Sequence, residues 1–269
     1  MIRVVVAGAH GRMGREVLKT VWNADDMELV GAVDGQGAGV DVGSLIEAGK
    51  VGLVVEKDLK EALSRTRPDV AVDFTNPRVV YQNTVTCLEQ GVRPVVGTTG
   101  MNPEQINEVI ELSARFGLGG LIAPNFAIGA LLMMKFAAEA VRHFPHVEII
   151  ELHHDQKVDA PSGTAIKTAE VILEQRGEEF RQGLPTEIEK LPGARGGEFT
   201  GGIRIHSVRL PGLVAHQEVI FGGLGQTLAI RHDSITRESF MPGVLLGIRK
   251  AIHLERVVYG LDKILFESF

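Results

Sequence analysis

Residues 2–14 read Ile2-Arg3-Val4-Val5-Val6-Ala7-Gly8-Ala9-His10-Gly11-Arg12-Met13-Gly14. An apolar run of strand length enters a turn containing three glycines, and a helical pattern follows. A dinucleotide pyrophosphate resting on a helix N-terminus demands such a turn, tight and without side chains where backbone meets phosphate. The spacing Gly-x-x-Gly-x-x-Gly departs from the usual Gly-x-Gly-x-x-Gly, so context must carry the reading. It does. Asp34 closes the next strand-like run twenty residues after Gly14, where a carboxylate for the ribose hydroxyls belongs. Gly8, Ala9, His10, Gly11, Arg12, Met13, Gly14 and Asp34 are the expected dinucleotide contacts. The plain alternative is a structural strand–helix turn with an ordinary acid at a strand end. Asp34 favours a free 2′-hydroxyl, because a carboxylate repels a 2′-phosphate, and Gly35-Gln36-Gly37 supplies no arginine to receive one. The reading leans to NADH, with Arg12 leaving NADPH open.

Outward from this turn the first half alternates. Apolar runs at Ile2–Ala7, Glu28–Asp34, Gly52–Val55, Val70–Phe74, Pro94–Val96 and Gly120–Ala123 are separated by helical patterns, clearest at Val79–Gln90 and Pro103–Phe116. Continuous apolar strands alternating with helices predict a parallel sheet covered on both faces. Gly97-Thr98-Thr99-Gly100 and Ala123-Pro124-Asn125-Phe126 leave predicted strands on the same side. In doubly wound sheets the carboxyl ends of the strands hold the ligand, so both segments are expected at the nicotinamide end.

Beyond about residue 125 the pattern changes. A long apolar helix leads to a strand over His146–His154 and a helix from about Gly163 to Gln175. A Gly-, Pro- and charge-rich stretch, 176–202, is expected to be a loop. Strand-like runs at Ile203–Leu210, Val214–Phe221 and Gln226–His232, separated by Pro211-Gly212 and Gly222-Gly223, predict an antiparallel meander. A last helix covers about Thr236 to Leu254. The expected division is 1–125 plus 234–269 as a dinucleotide-binding domain and 126–233 as an α+β domain.

Composition narrows the classes. The length of 269 residues fits one large domain or two modest ones. Hydrophobic residues at 44% and charged residues at 23% describe an ordinary globular chain. The net charge of −6 argues against a nucleic-acid binder driven by bulk electrostatics. The single cysteine, Cys87, reads as a small buried hydrophobe and fits a reducing compartment. No signal-peptide pattern precedes the first strand. The most apolar stretch, Phe126–Phe144, carries Lys135, Glu139 and Arg142 at helical spacing, as a packed helix does and a membrane span does not. A cytoplasmic location is expected. The 32 glycines, about 12% against a usual ~7%, form no collagen period and no linker, so they call for positional uses.

The most informative segment of the second half is Glu151-Leu152-His153-His154-Asp155-Gln156-Lys157-Val158-Asp159-Ala160-Pro161-Ser162-Gly163-Thr164. Neighbouring histidines on a strand face opposite ways, and no third ligand stands at zinc-like spacing, so no metal site is expected. One histidine facing a cleft as an acid, the other near a substrate group, and Lys157 adding positive charge fit better. Ser162-Gly163-Thr164 at a helix start offers N–H groups and a hydroxyl suited to a carboxylate. A surface strand end followed by a capped helix is the bland alternative.

Gly8–Gly14, Gly97–Gly100, Asn125-Phe126 and His153–Thr164 together make the chain resemble the 4-hydroxy-tetrahydrodipicolinate (dihydrodipicolinate) reductases along essentially its whole length. The string H-H-x-x-K-x-D-x-P-S-G-T is the specific part. The resemblance implies a Rossmann-type doubly wound parallel sheet and a second α+β domain, for substrate binding and oligomerisation, carrying an open mixed or antiparallel sheet. It implies NADH- or NADPH-dependent reduction of a small cyclic dicarboxylate in the diaminopimelate route to lysine, by a homotetramer. By position, His153 is the implied proton donor and Lys157 a second catalytic group. The resemblance likewise implies that His154, Lys157, Gly163 and Thr164, with Ser162 beside them, hold the substrate carboxylates. It implies too that Gly8–Gly14, Asp34, Gly97, Thr98, Thr99, Ala123, Pro124, Asn125 and Phe126 line the cofactor. Some members carry a basic residue after the ribose-binding acid; Gly35 departs from that, which bears on NADPH use and not on the reaction. Two other classes share parts of the pattern. A different NAD(H) oxidoreductase of this architecture needs no dicarboxylate clamp, and a non-enzymatic NAD(P)H sensor has little use for His153 with Lys157.

Overall fold

The valines of the opening run, Val4, Val5 and Val6, have no exposed surface in β1 (Ile2–Ala7), as a strand covered on both faces requires. The computed structural model describes residues 1–177, 183, 186 and 188–266. Two units divide the chain: Met1–Phe126 with Phe240–Phe269, and Ala127–Ser239. The first begins with β1, α1 (Arg12–Trp22), β2 (Met27–Val33), α2 (Val42–Leu45), β3 (Val55–Glu56) and α3 (Leu59–Thr66). It continues with β4 (Val70–Asp73), α4 (Val80–Glu89), β5 (Arg93–Val96), α5 (Pro103–Phe116) and β6 (Gly120–Ile122). The second contains α6 (Ile128–Ala140), β7 (His146–His153), α7 (Gly163–Arg176), β8 (Gly197–Glu198), β9 (Arg204–Arg209), β10 (Ala215–Gly223) and β11 (Gln226–Ser234). The chain then returns to the first with α8 (Met241–Ala251), β12 (Val257–Tyr259) and α9 (Leu261–Phe266).

The first unit is a Rossmann-type sheet of seven strands ordered β12-β6-β5-β4-β1-β2-β3, every pairing parallel. Strand order reverses between β1 and β4, the switch point at which such sheets bind ligands. Val5, Ala7, Val33, Leu63, Ala71 and Cys87 form one core cluster; Val80, Leu88, Val96, Val109, Ile122 and Val257 form another. Burial pushes the Cys87 thiol pKa up, which keeps it an inert hydrophobe. α5 starts as its sequence predicts, with Pro103 in the first turn and Asn102 and Gln105 in a capping box.

In the second unit α6 and α7 cover one face of a mixed sheet of five strands ordered β11-β10-β7-β9-β8. Val147, Ile149, Ile205, Val219 and Phe221 from the sheet meet Met133, Ala137 and Val141 of α6 and Ala165, Ala169 and Ile172 of α7.

Three expectations are corrected. The meander does not form. β10 and β11 make a hairpin, but β7 lies between β10 and β9, antiparallel to the former and parallel to the latter. The connection through Pro211-Gly212 instead steps over the end of β7, where the Leu210 N–H donates to the His153 carbonyl at 3.1 Å. Strands lie only about 4.8 Å apart, so a short connection can cross one. The run at Gly52–Val55 becomes strand only at Val55–Glu56, because the Val51 and Gly52 N–H groups donate to the Asp41 carboxylate instead. The helix expected over about Thr236 to Leu254 is α8, which begins only at Met241, after a 3-10 turn over Arg237–Phe240, and ends at Ala251; Pro242, which has no N–H, sits in its first turn. Of the loop expected over 176–202, residues 178–182, 184, 185 and 187 lie outside the described residues.

Gly8 has φ +84°, and a Cβ on Gly14 would stand 1.9 Å from the Gly8 carbonyl oxygen. Gly14→Ala must therefore push α1 off β1. We expect it to cost about 2 kcal/mol or more, read as a lower urea midpoint for unfolding.

Candidate functional site

In the first unit the glycine turn is pulled onto the end of β2. The N–H groups of Gly8 and Ala9 donate to the Val33 carbonyl at 2.9 and 3.1 Å, and the Gly11 N–H donates to the Gly8 carbonyl at 3.0 Å. A Cβ on Gly8 would stand 2.3 Å from the Phe74 carbonyl oxygen, so turn and β4 meet at the switch point. α1 starts with Gly11 as N-cap, without a side-chain cap and without an acid in its first turn. Its uncapped N–H groups suit an anionic pyrophosphate. Asp34 braces the turn: Oδ2 accepts the His10 N–H at 2.9 Å, and Oδ1 accepts the Gln36 N–H at 2.8 Å. A carboxylate oxygen holds a second acceptor position, which a ribose hydroxyl can use. Arg12 is exposed, whereas Arg15 Nε donates to the His10 carbonyl at 3.1 Å.

An acid that is not among the expected site residues organises the neighbouring loop. Asp73, at the end of β4, is 5% exposed. Its Oδ1 accepts from the Thr75 N–H at 3.0 Å, Thr75 Oγ1 at 2.7 Å and Thr98 Oγ1 at 2.7 Å, while Oδ2 accepts from Asn83 Nδ2 at 2.8 Å. The Gly97 N–H donates to the Asp73 carbonyl at 2.9 Å. Thr98 is thereby anchored and Thr99 is left exposed. The available signal was an acid ending an otherwise apolar run, with threonines at the neighbouring strand ends. Among residues 123–126, Ala123 and Phe126 are core and Pro124 is exposed; the Phe126 ring packs on Phe74 at 5.8 Å between centroids.

In the second unit the loop segment gathers around Glu151, which is fully buried. Arg209 clamps it from β9, with Nη1 to Oε2 at 2.9 Å and Nη2 to Oε1 at 2.8 Å. The Ser162 N–H donates to Oε1 at 3.2 Å, and His153 Nδ1 contacts Oε2. Ser162 also caps α7, its Oγ accepting the Ala165 N–H at 3.2 Å, so Gly163 and Thr164 form the helix's first turn. Lys157 Nζ pairs with Asp159 at 2.7 Å. His154, just past the end of β7, is exposed. Burial pushes the His153 pKa down; Glu151 opposes this, Lys157 and Arg209 add to it, and the net direction is down. Burial pushes the Glu151 carboxyl up, but Arg209, Ser207 and His153 more than reverse that. Arg209 had no signal in the sequence reading, since it lies 58 residues from Glu151. Among the described residues no group of three or more His, Cys, Asp or Glu could hold a metal, and no helix is long and apolar enough to cross a membrane.

The family model described as dihydrodipicolinate reductase, N-terminus, matches residues 2–126, and its C-terminus counterpart matches residues 129–265. The 4-hydroxy-tetrahydrodipicolinate reductase of Desulfitobacterium hafniense (strain DSM 10664 / DCB-2) is 55% identical over 98% of this chain and 98% of its own. Its counterpart from Listeria innocua serovar 6a is also 55% identical, over 98% of this chain and 100% of its own. A solved structure, dipicolinate-bound dihydrodipicolinate reductase from Paenisporosarcina sp. TG-14, is 49% identical with a TM-score of 0.88, covering 98% of this chain and 99% of that one.

Burial also depresses the pKa of His232 on β11. A histidine whose folded pKa lies below its unfolded value of ~6.5 binds more protons unfolded, so stability falls as pH drops below that value. The urea midpoint should therefore be lower at pH about 5.5 than at about 7.5, and His232→Gln should narrow the difference.

Proposed function

This chain belongs to the dihydrodipicolinate reductase family, and from that premise we propose that it reduces 4-hydroxy-tetrahydrodipicolinate, by way of dihydrodipicolinate, to tetrahydrodipicolinate. It is an oxidoreductase of lysine and diaminopimelate biosynthesis that uses a nicotinamide cofactor. The observation that carries the residue roles is the cluster in which buried Glu151 holds His153 beside Lys157 and the start of α7. Dipicolinate, bound by the Paenisporosarcina relative, is a ring dicarboxylate of the same class.

The first turn fits a dinucleotide, because α1 is uncapped, and a Cβ on Gly8 or Gly14 would run into backbone and break the close turn that presents those N–H groups. Gly8 to Gly14 would hold the pyrophosphate and Asp34 the ribose. Gly97, Thr98, Thr99 and the segment from Ala123 to Phe126 would hold the nicotinamide end. When bound, the cofactor supplies the hydride that C4 of the conjugated ring receives. The chain's own residues do the rest. His153 delivers a proton to the adjacent ring carbon from Nε2, since Nδ1 faces Glu151. Lys157 clamps one carboxylate and offsets negative charge on the ring. His154, Gly163 and Thr164 take the other carboxylate, and Ser162 fixes their turn.

Asp34, with room to accept a ribose hydroxyl, favours NADH, and exposed Arg12 leaves NADPH usable. The free, buried Cys87 agrees with a cytoplasmic enzyme. The sheet face opposite α6 and α7 carries Ile150, Leu152, Val208 and Ile220 among the ion pairs Glu148–Arg195 and Glu218–Arg231. That face suits further copies of the chain in a homotetramer, which light scattering would test.

The assay follows nicotinamide absorbance with substrate made in situ by the preceding synthase, run with NADH and NADPH in turn. His153→Ala should lower kcat by about 10²–10⁴-fold and leave NADH binding nearly intact. Lys157→Ala should damage both kcat and KM, because its charge is wanted in ground and transition states. Pyridine-2,6-dicarboxylate should compete with substrate. An uninhibited enzyme, or wild-type kcat in His153→Ala, would overturn these assignments.

A further inference from the structure

We propose that Glu151 and Arg209 form a positioning unit for His153: the carboxylate holds the imidazole with its proton on Nδ1, and the guanidinium keeps that carboxylate ionised. The inference rests on His153 being the proton donor and adds how that donor is aimed and recharged.

Strand alternation puts Val147, Ile149 and Glu151 on the face of β7 that α6 and α7 cover. A charge on that face is expensive: an ion moved out of water costs several kcal/mol even after relaxation, and an apolar side chain would fill the place at no such penalty. Packing therefore gives no reason for an acid at this position. Its hydrogen bonds give one. Oε1 accepts from Arg209 Nη2 and the Ser162 N–H, Oε2 accepts from Arg209 Nη1, and His153 Nδ1 contacts Oε2. A carboxylate gripped at two points by a guanidinium and also by the Ser162 N–H and the Ser207 side chain has no rotational freedom and is kept ionised. The imidazole nitrogen facing it must carry hydrogen.

The step then balances as follows. The imidazolium gives its Nε2 proton to the ring carbon and becomes neutral imidazole with hydrogen on Nδ1. Its lone pair remains on Nε2, aimed where the proton left, and solvent restores the proton there. Glu151 stays a carboxylate throughout. Arg209 lies across from His153 in the β7–β9 register and also donates to the Asp159 carbonyl at 2.7 Å. It thus ties the imidazole, its acid and the loop bearing Lys157 into one network. The charged groups acting on His153 are Glu151 on its own strand, Arg209 on β9, and Lys157, itself paired with Asp159, on the following loop. The first turn of α7 adds no acid.

The pH profile of kcat/KM for the whole enzyme at saturating cofactor separates this role from a structural ion pair. Activity that needs imidazolium is lost as pH rises through the His153 pKa. Glu151→Gln should move that limb to lower pH and cut kcat about 10- to 100-fold, a part of what a positioned acid supplies. Arg209→Gln should move it the other way, because a repelling cation is gone and the His153–Glu151 pair keeps its proton longer. Arg209→Lys should restore the limb, and it keeps the test alive if Arg209→Gln fails to fold. NADH affinity should stay constant in all three. In a His153→Ala background, Glu151→Gln should cost no further kcat. Unmoved profiles with only a lower unfolding midpoint, or an undiminished Glu151→Gln effect in the His153→Ala background, would refute the positioning unit alone. Wild-type kcat in His153→Ala itself would overturn the proton-donor reading, and this proposal with it.

Discussion

α1 leaves the end of β1 so closely that the third glycine of the turn has no room for a methyl group against the carbonyl of the first. Much of the first unit follows from that contact. It brings the amino end of α1 over the switch between β1 and β4, and it places Gly8 against the Phe74 carbonyl. It leaves first-turn N–H groups without a side-chain cap, an arrangement suited to an anion. Asp34 then holds the turn from the far side through the His10 N–H.

The two units repeat one device in different chemistry. Each has a buried carboxylate at or near the end of a strand, Asp73 closing β4 and Glu151 two residues before the end of β7, and each carboxylate is surrounded by donors. A buried acid is a poor way to gain stability, because desolvation offsets most of what its partners contribute. It is a good way to hold a neighbour in one orientation. Asp73 fixes the Thr98 hydroxyl and Glu151 the His153 ring. The difference lies in the counter-charge: Asp73 is met by neutral hydroxyl, amide and backbone donors, whereas Glu151 has Arg209. That guanidinium is the feature that lets an acid sit beside a proton-carrying imidazole without competing for the proton.

Legibility followed distance along the chain. The strand, glycine turn and acid of residues 2–34 are local, and so is the helix opening at Pro103; each was readable because spacing alone imposes its geometry. The segment from His153 to Thr164 also announced its chemistry, since its histidines, lysine and helix start are consecutive. Where a segment's partner lay far away, reading failed. β9 looked like the hairpin neighbour of β10, yet β7 from some fifty residues earlier takes the place between them. Gly52 looked like the start of a strand, but its N–H had already gone to Asp41. β12 is three residues long, too short to show a period, and becomes a strand only because β6 and the buried Ser113 hydroxyl receive it.

The doubly wound α/β class, the close glycine turn between β1 and α1 and the family's string from His153 to Thr164 were thus legible in the chain itself, all patterns that local backbone geometry and residue chemistry make recognisable. Tertiary structure alone decided the strand order of the second sheet, the anchoring of Thr98 by Asp73 and the clamping of Glu151 by Arg209. The reason is physical. A buried charge is tolerable only where partners from other strands converge on it, and that convergence is created by strand pairing, which no single stretch of sequence contains.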